Sequence, residues 1–281
     1  MGWYVYALLS VIANTGMVLC FQRLRRNYPV EVYLFIVWTI SALILLITYP
    51  PFVAIGQNLK LIPLIILAGI SSWLGNFAYG ISLEKQSNSG YVEATSSIRV
   101  GITYFTSLIF LNSRFDLIHF LALIGIIIGI TLVGISPPQD SKVIKSNWIW
   151  WALLAGIMFS ALAIINKIIF IGGILPAQAT SAFFGIAAIM YSISAYKRYG
   201  FIRPKNDLVI LLIGGFFAAT GNIALFSSYN LAPNLAYPVA ISGSRMVLLF
   251  FISILILRDK KINIMKSSGV LITFISVLFL S

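Results

Sequence analysis

The chain alternates long apolar runs with short polar breaks. Ten apolar runs occur, and each is about 20 residues long, enough to cross roughly 30 Å of hydrocarbon as a helix. Only helices and closed barrels satisfy the backbone inside a bilayer, and continuous runs of this length are typical of helices, so we predict ten transmembrane spans. The spans cover residues 3–22, 30–49, 61–83, 88–111, 117–135, 148–170, 175–196, 208–229, 234–257 and 262–280.

Part of this pattern occurs twice. Residues 69–111 align without a gap with residues 215–257 at an offset of 146 (221 minus 75). The copies share a Gly-Asn step and an arginine inside an apolar run, which apolar composition alone does not produce. Trp3 and Ala7 likewise match Trp148 and Ala152, so the duplication reaches the start of each half. The shared pairs include Gly69/Gly215, Gly75/Gly221, Asn76/Asn222, Asn88/Asn234, Tyr91/Tyr237, Ser96/Ser242 and Arg99/Arg245.

Each half therefore contains five spans, and an odd number inserts the second half in the opposite orientation. We predict an all-α integral membrane fold of ten helices in two inverted five-helix repeats, residues 1–136 and 147–281, joined by a short polar linker. Such repeats commonly bind a substrate near the midplane between the halves and alternate its access to the two sides. A solenoid of stacked repeats needs more than two copies.

Composition supports a membrane protein and narrows the partners. The chain is 60% hydrophobic and 9% charged, with a mean hydropathy of +0.99, so a soluble domain could not bury its apolar surface. The net charge of +12 is spread through the breaks between spans. We therefore expect a lipid bilayer and no nucleic acid as partner. Cys20 is the single cysteine, which excludes an intramolecular disulfide, and we expect no metal and no cofactor.

Basic residues favour one side of the predicted membrane. The breaks after spans 1, 3, 5, 7 and 9 hold fourteen lysines and arginines, against three in the opposite breaks. The positive-inside rule therefore predicts a multi-pass protein of the plasma membrane with both termini outside. The fourteen are Arg23, Arg25, Arg26, Lys85, Lys142, Lys145, Lys197, Arg198, Arg203, Lys205, Arg258, Lys260, Lys261 and Lys266; the three are Lys60, Arg114 and Lys167.

The two remaining basic residues, Arg99 and Arg245, lie inside predicted spans. Each follows the start of its span by 11 residues (99 minus 88 and 245 minus 234), which places it roughly 16 Å into the helix, near the membrane centre. A charge there faces the bundle interior or water and needs a partner. Ser96 and Ser242 precede the arginines by three residues and share their faces. We predict two facing Ser-Arg pairs that bind substrate; the alternative is a structural role of the arginines on helix-end carbonyls.

Glu93 is the one acidic residue well inside a predicted span. It precedes Arg99 by six positions, about 120° around a helix, which disfavours a salt bridge between the two. We expect Glu93 to pair with Arg245, a ligand amine or a proton, and a proton would let it couple transport to a gradient. The alternative is a carboxylate that reaches the headgroups from the cytoplasmic end of its helix.

Paired amides and phenols complete the predicted site. Asn76 and Asn222 follow repeated glycines, and their amides could bind a ligand or join helices. Tyr91 and Tyr237 could wall a cavity, although tyrosine near a helix end is also a common interfacial anchor. An intramembrane hydrolase would need paired aspartates, HExxH or a serine with a histidine base, whereas the sequence has only His119 and no aspartate at a membrane centre. We therefore expect no enzyme.

This arrangement resembles the drug/metabolite transporter superfamily, specifically its EamA-type exporters, over essentially the whole chain. In that family each half tends to carry an acidic residue after its fourth helix and a glycine nine residues later. Asp116 and Gly125 match this pattern. In the second half Lys260 stands nine residues before Gly269, and Asp259 is displaced by one position. The resemblance implies a membrane transporter.

We therefore expect a secondary transporter, working as an exporter, for small polar metabolites bound between the halves. Two central arginines favour a carboxylate or phosphate, and Glu93 could receive an amine, so amino acids or related zwitterions are the first expectation. Organic phosphates, other anions and drugs are alternatives within transport. A lipid flippase or a channel is the alternative outside it, although channels usually build filters from several subunits. Monomer and homodimer are both open.

Overall fold

The computed structural model describes residues 2–86, 89–135, 147–200, 207–255 and 264–280, and within these ranges the chain is helical between its turns. A short 3-10 helix, Leu59–Leu61, leads into the fourth α-helix. The α-helices are α1 Trp3–Leu24, α2 Val30–Thr48, α3 Phe52–Gln57, α4 Ile62–Lys85, α5 Ser89–Ser96, α6 Ile98–Phe110, α7 Leu117–Ile135, α8 Trp148–Ile171, α9 Pro176–Tyr199, α10 Leu208–Leu231, α11 Ala236–Gly243, α12 Arg245–Leu255 and α13 Ile264–Leu278.

Six helices in the described ranges are long and apolar enough to cross a membrane: α1, α2, α4, α8, α9 and α10. Shorter apolar helices occur at Leu117–Val133, Ala236–Ile252 and Ile264–Leu278. Large apolar side chains such as Ile47, Phe110 and Ile189 are exposed on the bundle, where a bilayer would cover them. The chain is therefore a multi-pass helical membrane protein, and the count of ten spans stays a prediction.

Predicted spans 4 and 9 are not continuous helices. Ser97 separates α5 from α6, and Ser244 separates α11 from α12. At each break the hydrogen bonding tightens, because Val100 N–H donates to Ser97 O at 2.9 Å and Val247 N–H donates to Ser244 O at 2.8 Å. Both serine hydroxyls also donate to a carbonyl in the preceding turn, at 2.8 and 2.6 Å. These hydroxyls compete with backbone N–H groups for the helical carbonyls. The pattern of hydrophobic positions does not reveal this competition.

Helices of the two halves pack against each other, α1 beside α10, α4 beside α8, α2 beside α9 and α7 beside α13. Repeated glycines permit these crossings. A Cβ on Gly69 would lie 2.6 Å from Cβ of Ile186, and a Cβ on Gly215 would lie 2.5 Å from Cγ2 of Ile40. Residues 40 and 186 differ by 146 positions (186 minus 40), as do the glycines. One contact thus occurs twice, with the halves exchanged.

A second glycine contact between the halves also occurs twice. A Cβ on Gly75 in α4 would lie 3.0 Å from the ring of Phe159 in α8. Its repeat partner Gly221, in α10, would meet Oδ1 of Asn14 in α1 at 2.9 Å. Since α1 and α8 are the first long helices of the two halves, each central helix crosses the first helix of the other half.

Polar contacts join the halves at the end of the bundle that is rich in basic residues. Asn27 Nδ2 donates to Asp207 Oδ2 at 2.8 Å, and the Arg198 guanidinium donates to Glu31 Oε1 at 2.5 Å. Glu31 is buried, whereas the Arg198 side chain is 62% exposed. The turn between α1 and α2 is thereby fixed to α9 and to the start of α10. Seven residues of the basic set lie outside the described residues: Lys142, Lys145, Arg203, Lys205, Arg258, Lys260 and Lys261.

Lys167 was counted with the basic residues of the breaks, although it falls within predicted span 148–170, and the structure places it inside α8. Its ammonium Nζ donates to the backbone carbonyls of Tyr229 at 2.8 Å and Asn230 at 2.9 Å. These carbonyls belong to the last turn of α10, where helical partners are missing and the dipole is negative. Lys167 therefore caps a neighbouring helix.

Candidate functional site

A cavity of about 80 Å³ lies among helices of both halves. Five predicted site residues line it: Arg99, Arg245, Ser242, Asn76 and Asn222. The other lining residues come from α1, α2, α4, α8, α10 and α11. One water needs about 10–15 Å³ measured in this way, so the cavity accommodates several waters or a compact ligand.

Glu93 binds both arginines beside this cavity. Its Oε1 accepts from Arg99 Nη2 at 2.6 Å, and its Oε2 accepts from Arg245 Nη2 at 2.7 Å. Tyr79 Oη donates to the same Oε2 at 2.9 Å. The predicted Glu93–Arg245 pair is therefore present and joins the two halves. The headgroup alternative is wrong, because Glu93 is 0% exposed.

The expectation against a Glu93–Arg99 pair is also wrong, and the break at Ser97 gives the reason. On one straight helix the two side chains would point about 120° apart. Glu93 lies in α5 and Arg99 is the second residue of α6, on the other side of the break. The tightened turn at Ser97 changes the rotation between them, so a spacing of six residues brings the charges together.

Helix α8 holds this break from outside. A Cβ on Gly156 would lie 2.8 Å from the carbonyl oxygen of Ser96, so only glycine allows this approach. Ser160 Oγ donates to the carbonyl of Arg99 at 3.3 Å. The buried hydroxyl of Ser96 donates to the carbonyl of Glu93 at 3.1 Å. Ser96 is thus not among the cavity-lining residues, unlike Ser242, and its observed contact is structural.

Several buried donors at the cavity have no hydrogen-bond partner among the described residues: Nε of Arg99, Nε of Arg245, Nε1 of Trp38 and the hydroxyl of Ser72. An unpaired buried donor costs about 1–3 kcal/mol. Arg245 also begins α12, and Arg99 lies at the start of α6, where the helix dipole adds positive potential. The cavity therefore favours a ligand that brings negatively charged acceptor atoms.

Aromatic rings support the two guanidinium groups. The Arg99 guanidinium lies 5.8 Å from the centroid of the Phe159 ring, and that of Arg245 lies 5.6 Å from the centroid of the Tyr79 ring. These distances suit cation–π contacts. The rings and Glu93 together restrain both arginine side chains before any ligand is present.

The paired asparagines reach the cavity in equivalent ways. Asn76 Nδ2 donates to the carbonyl of Ser72, and Asn222 Nδ2 donates to the carbonyl of Ala218, each at 2.8 Å. Both bonds are within one helix, so the amide groups are satisfied locally rather than by a neighbouring helix. The amide oxygen of each side chain remains as an acceptor for a ligand.

Tyr91 and Tyr237 do not line the cavity, contrary to the prediction that they wall it. The Tyr91 ring lies 6.3 Å from Trp148, and the Tyr237 ring lies 6.0 Å from Trp3. Tyr237 also stacks on His119 at 4.9 Å. Trp3 and Trp148 are themselves repeat partners. The two tyrosines therefore make one repeated packing contact against the first helix of the opposite half.

The sequence reasoning missed Tyr79, Trp38 and Ser72. One signal for two of them was available, because Ser72, Asn76 and Tyr79 follow one another at spacings of four and three residues and so share a face of α4. Trp38 carries no such signal, since a tryptophan in an apolar run is equally typical of a core residue or a lipid contact.

Asp116, which matched the family pattern, lies away from the cavity at the start of α7. Its Oδ1 accepts from the backbone N–H of His119 at 3.0 Å, the geometry of a helix N-cap. This hydrogen bond holds the pKa of Asp116 below its ordinary value. The pattern residue therefore stabilises a helix start.

The described residues thus form a helical membrane bundle with a cavity lined by two arginines. Residues 1–135 match the EamA-like transporter family. Over this region the chain matches the EamA-type transporters of the drug/metabolite transporter superfamily, the family that the sequence predicted. Members of the family are transporters rather than enzymes.

A solved structure, described as "Crystal structure of protein", superposes on the chain with a TM-score of 0.76. The alignment covers 99% of this chain and 95% of the other at 9% sequence identity. At this identity the likeness concerns the fold alone. None of the curated proteins matches the sequence.

Proposed function

We propose that the protein is a secondary carrier of small polar metabolites that contain a carboxylate, bound in the central cavity. One observation carries the proposal: two arginines, one from each half, line the cavity with buried Nε–H donors that have no partner in the described chain. A guanidinium binds a carboxylate through parallel charge-assisted hydrogen bonds. The substrate carboxylate would supply the missing acceptors.

Amino acids and related zwitterions are the first substrate class to test. Glu93 does not receive the amine of such a ligand, because its carboxylate is already bound to both arginines. A ligand amine would instead find the amide oxygens of Asn76 and Asn222. The cavity of about 80 Å³ supports a compact metabolite better than a drug-sized molecule.

The exchanged glycine contacts support an inverted-repeat arrangement, in which α5–α6 and α11–α12 are equivalent broken helices. Broken helices at a repeat interface are typical of substrate sites in carriers. We propose that the two halves rock around this cavity to expose it on alternate sides, and that the physiological direction is export across the plasma membrane.

Arg99→Gln and Arg245→Gln test the site, with Arg114→Gln as a matched control because Arg114 is exposed and remote from the cavity lining. Purified variants are screened by thermal shift against amino acids, organic phosphates and quaternary amines, and hits are followed in proteoliposomes. We expect the wild type and the control to bind and show saturable counterflow, and both site variants to lose it. Folded site variants with normal transport would contradict the proposal.

The same assay separates the rival classes. Unsaturable conductance without counterflow would indicate a channel, and lipid translocation without solute counterflow would indicate a flippase. A preference for organic phosphates over amino acids would indicate an anion translocator.

The role of Glu93 in proton coupling stays a prediction. Glu93→Gln in proteoliposomes should retain exchange at zero gradient and lose accumulation driven by a pH gradient. Accumulation that survives would remove Glu93 as the coupling residue.

A further inference from the structure

The charges at the cavity do not cancel. Arg99 and Arg245 are the ionised residues among the described side chains that line it. Glu93 contributes one carboxylate that both of them share. Two positive charges and one negative charge leave one positive charge at the site.

The net positive charge of the site has a large effect because it is buried inside the bundle. The side chains of Arg99, Arg245 and Glu93 are 7%, 11% and 0% exposed, so water screens them little. A buried charge without a counter-charge is unfavourable. A ligand that neutralises the site is therefore favoured over one that makes its net charge negative. A ligand with one negative charge completes the balance, whereas a ligand with two reverses its sign.

The geometry also lets Glu93 stay in place while a ligand binds. Glu93 uses Nη2 of each arginine, and Tyr79 holds its Oε2 as a third donor. The Nε–H donors of both arginines remain unpartnered. A substrate carboxylate that reaches these buried donors therefore does not need to displace the internal carboxylate.

Building on the proposed function, we infer that Glu93 determines how many carboxylates a substrate presents to the arginines: it sets the cavity to accept ligands with one carboxylate and to reject ligands with two. Glu93 acts in this as a specificity-determining residue that does not itself contact the ligand.

The probes for the test are succinamate and succinate, which have nearly the same size but carry one and two negative charges at pH 7.5. Binding of each is measured by calorimetry in one detergent. For the wild type we expect succinamate to bind at least about tenfold more tightly than succinate, since charges interact strongly at low dielectric. Tighter binding of succinate would overturn the inference. If neither probe binds, the proposed carboxylate carrier itself fails.

Glu93→Gln leaves two positive charges, and we expect the preference to reverse by at least about tenfold in favour of succinate. Asp116→Asn is the matched control, because it removes one carboxylate away from the cavity, and it should keep the succinamate preference. A Glu93→Gln variant that still prefers succinamate would overturn the inference.

The double variant Glu93→Gln with Arg99→Gln restores one net positive charge through Arg245 alone. We expect it to recover the preference for succinamate even if the single Glu93 variant fails to fold. A folded double variant that prefers succinate, or does not discriminate, would show that charge balance does not set the selectivity.

Discussion

The crossing of α7 and α13 predicts a graded response to added methyl groups. A Cβ on Gly129 would lie 2.7 Å from the carbonyl oxygen of Gly269 and 2.8 Å from the backbone N of Thr273. Backbone atoms cannot rotate away, so Gly129→Ala forces the helices apart. Overpacking of this kind typically costs about 1–3 kcal/mol. At about 2–4 °C per kcal/mol, the midpoint of unfolding should fall by about 2–12 °C.

Two further glycine substitutions serve as comparisons for the stability loss of Gly129→Ala. At Gly125 the atom nearest to an added Cβ is the Ser276 hydroxyl, which can rotate, so Gly125→Ala should lower the midpoint less than Gly129→Ala does. Gly101 has nothing within 4 Å of such a Cβ. Gly101→Ala should therefore match or exceed the wild type, because alanine is the better helix former by about 0.8–1 kcal/mol.

The assay is thermal unfolding in a single detergent, followed by tryptophan fluorescence at a fixed scan rate. The order from most to least stable should be Gly101→Ala, Gly125→Ala and Gly129→Ala. Equal midpoints for the Gly129 and Gly101 variants would refute the close backbone contact between α7 and α13.

Three other measurements address separate features. Asp116→Ala should lower the unfolding midpoint at neutral pH, and Asp116→Asn, which can also cap but carries no charge, should lower it less. Because the native pKa of Asp116 is depressed, its charge stabilises the fold at neutral pH, and this contribution disappears as the pH falls through that pKa. A difference between the wild type and Asp116→Asn that does not shrink at low pH would contradict this reasoning. Lys167→Met should destabilise the protein more than Lys167→Arg, since only methionine removes all donors to the end of α10, and equal midpoints would rule out the capping role. A reporter fused after Ser281 should be active only on the outer side, and cytoplasmic activity would refute the predicted orientation.

Hydrophobic runs in the sequence predict some features of the fold and not others. Runs of apolar residues mark where helices lie in the bilayer, so the bounds of α2, α7 and α8 agree with the predicted spans to within two residues. They carry no information on hydrogen-bond register. The breaks at Ser97 and Ser244, which depend on a hydroxyl that competes for one carbonyl, were therefore missed.

The site was predicted in part for the same reason. The free-energy cost of burying a charge identified Arg99, Arg245 and Glu93, because a charged side chain inside a span needs a partner in any arrangement of the helices. Repetition alone was ambiguous for Tyr91 and Tyr237, since a duplicated packing contact leaves the same trace as a duplicated binding residue.

The pairing of α1 with α10 has a consequence for synthesis. The end of α10 leaves the ribosome 207 residues after the end of α1 (231 minus 24). At about 5–20 residues per second, α1 waits roughly 10–40 s for its main neighbour.

During that interval α1 is not fully dependent on its absent partner. Ser10 donates to the carbonyl of Ala7, and Thr15 donates to that of Val11, so both hydroxyls are satisfied within the helix itself. Asn14, which packs against Gly221 once α10 arrives, presents an amide to lipid or to the insertion machinery until then. The nascent chain thus carries on its first helix an amide group whose contact with Gly221 forms only when α10 arrives.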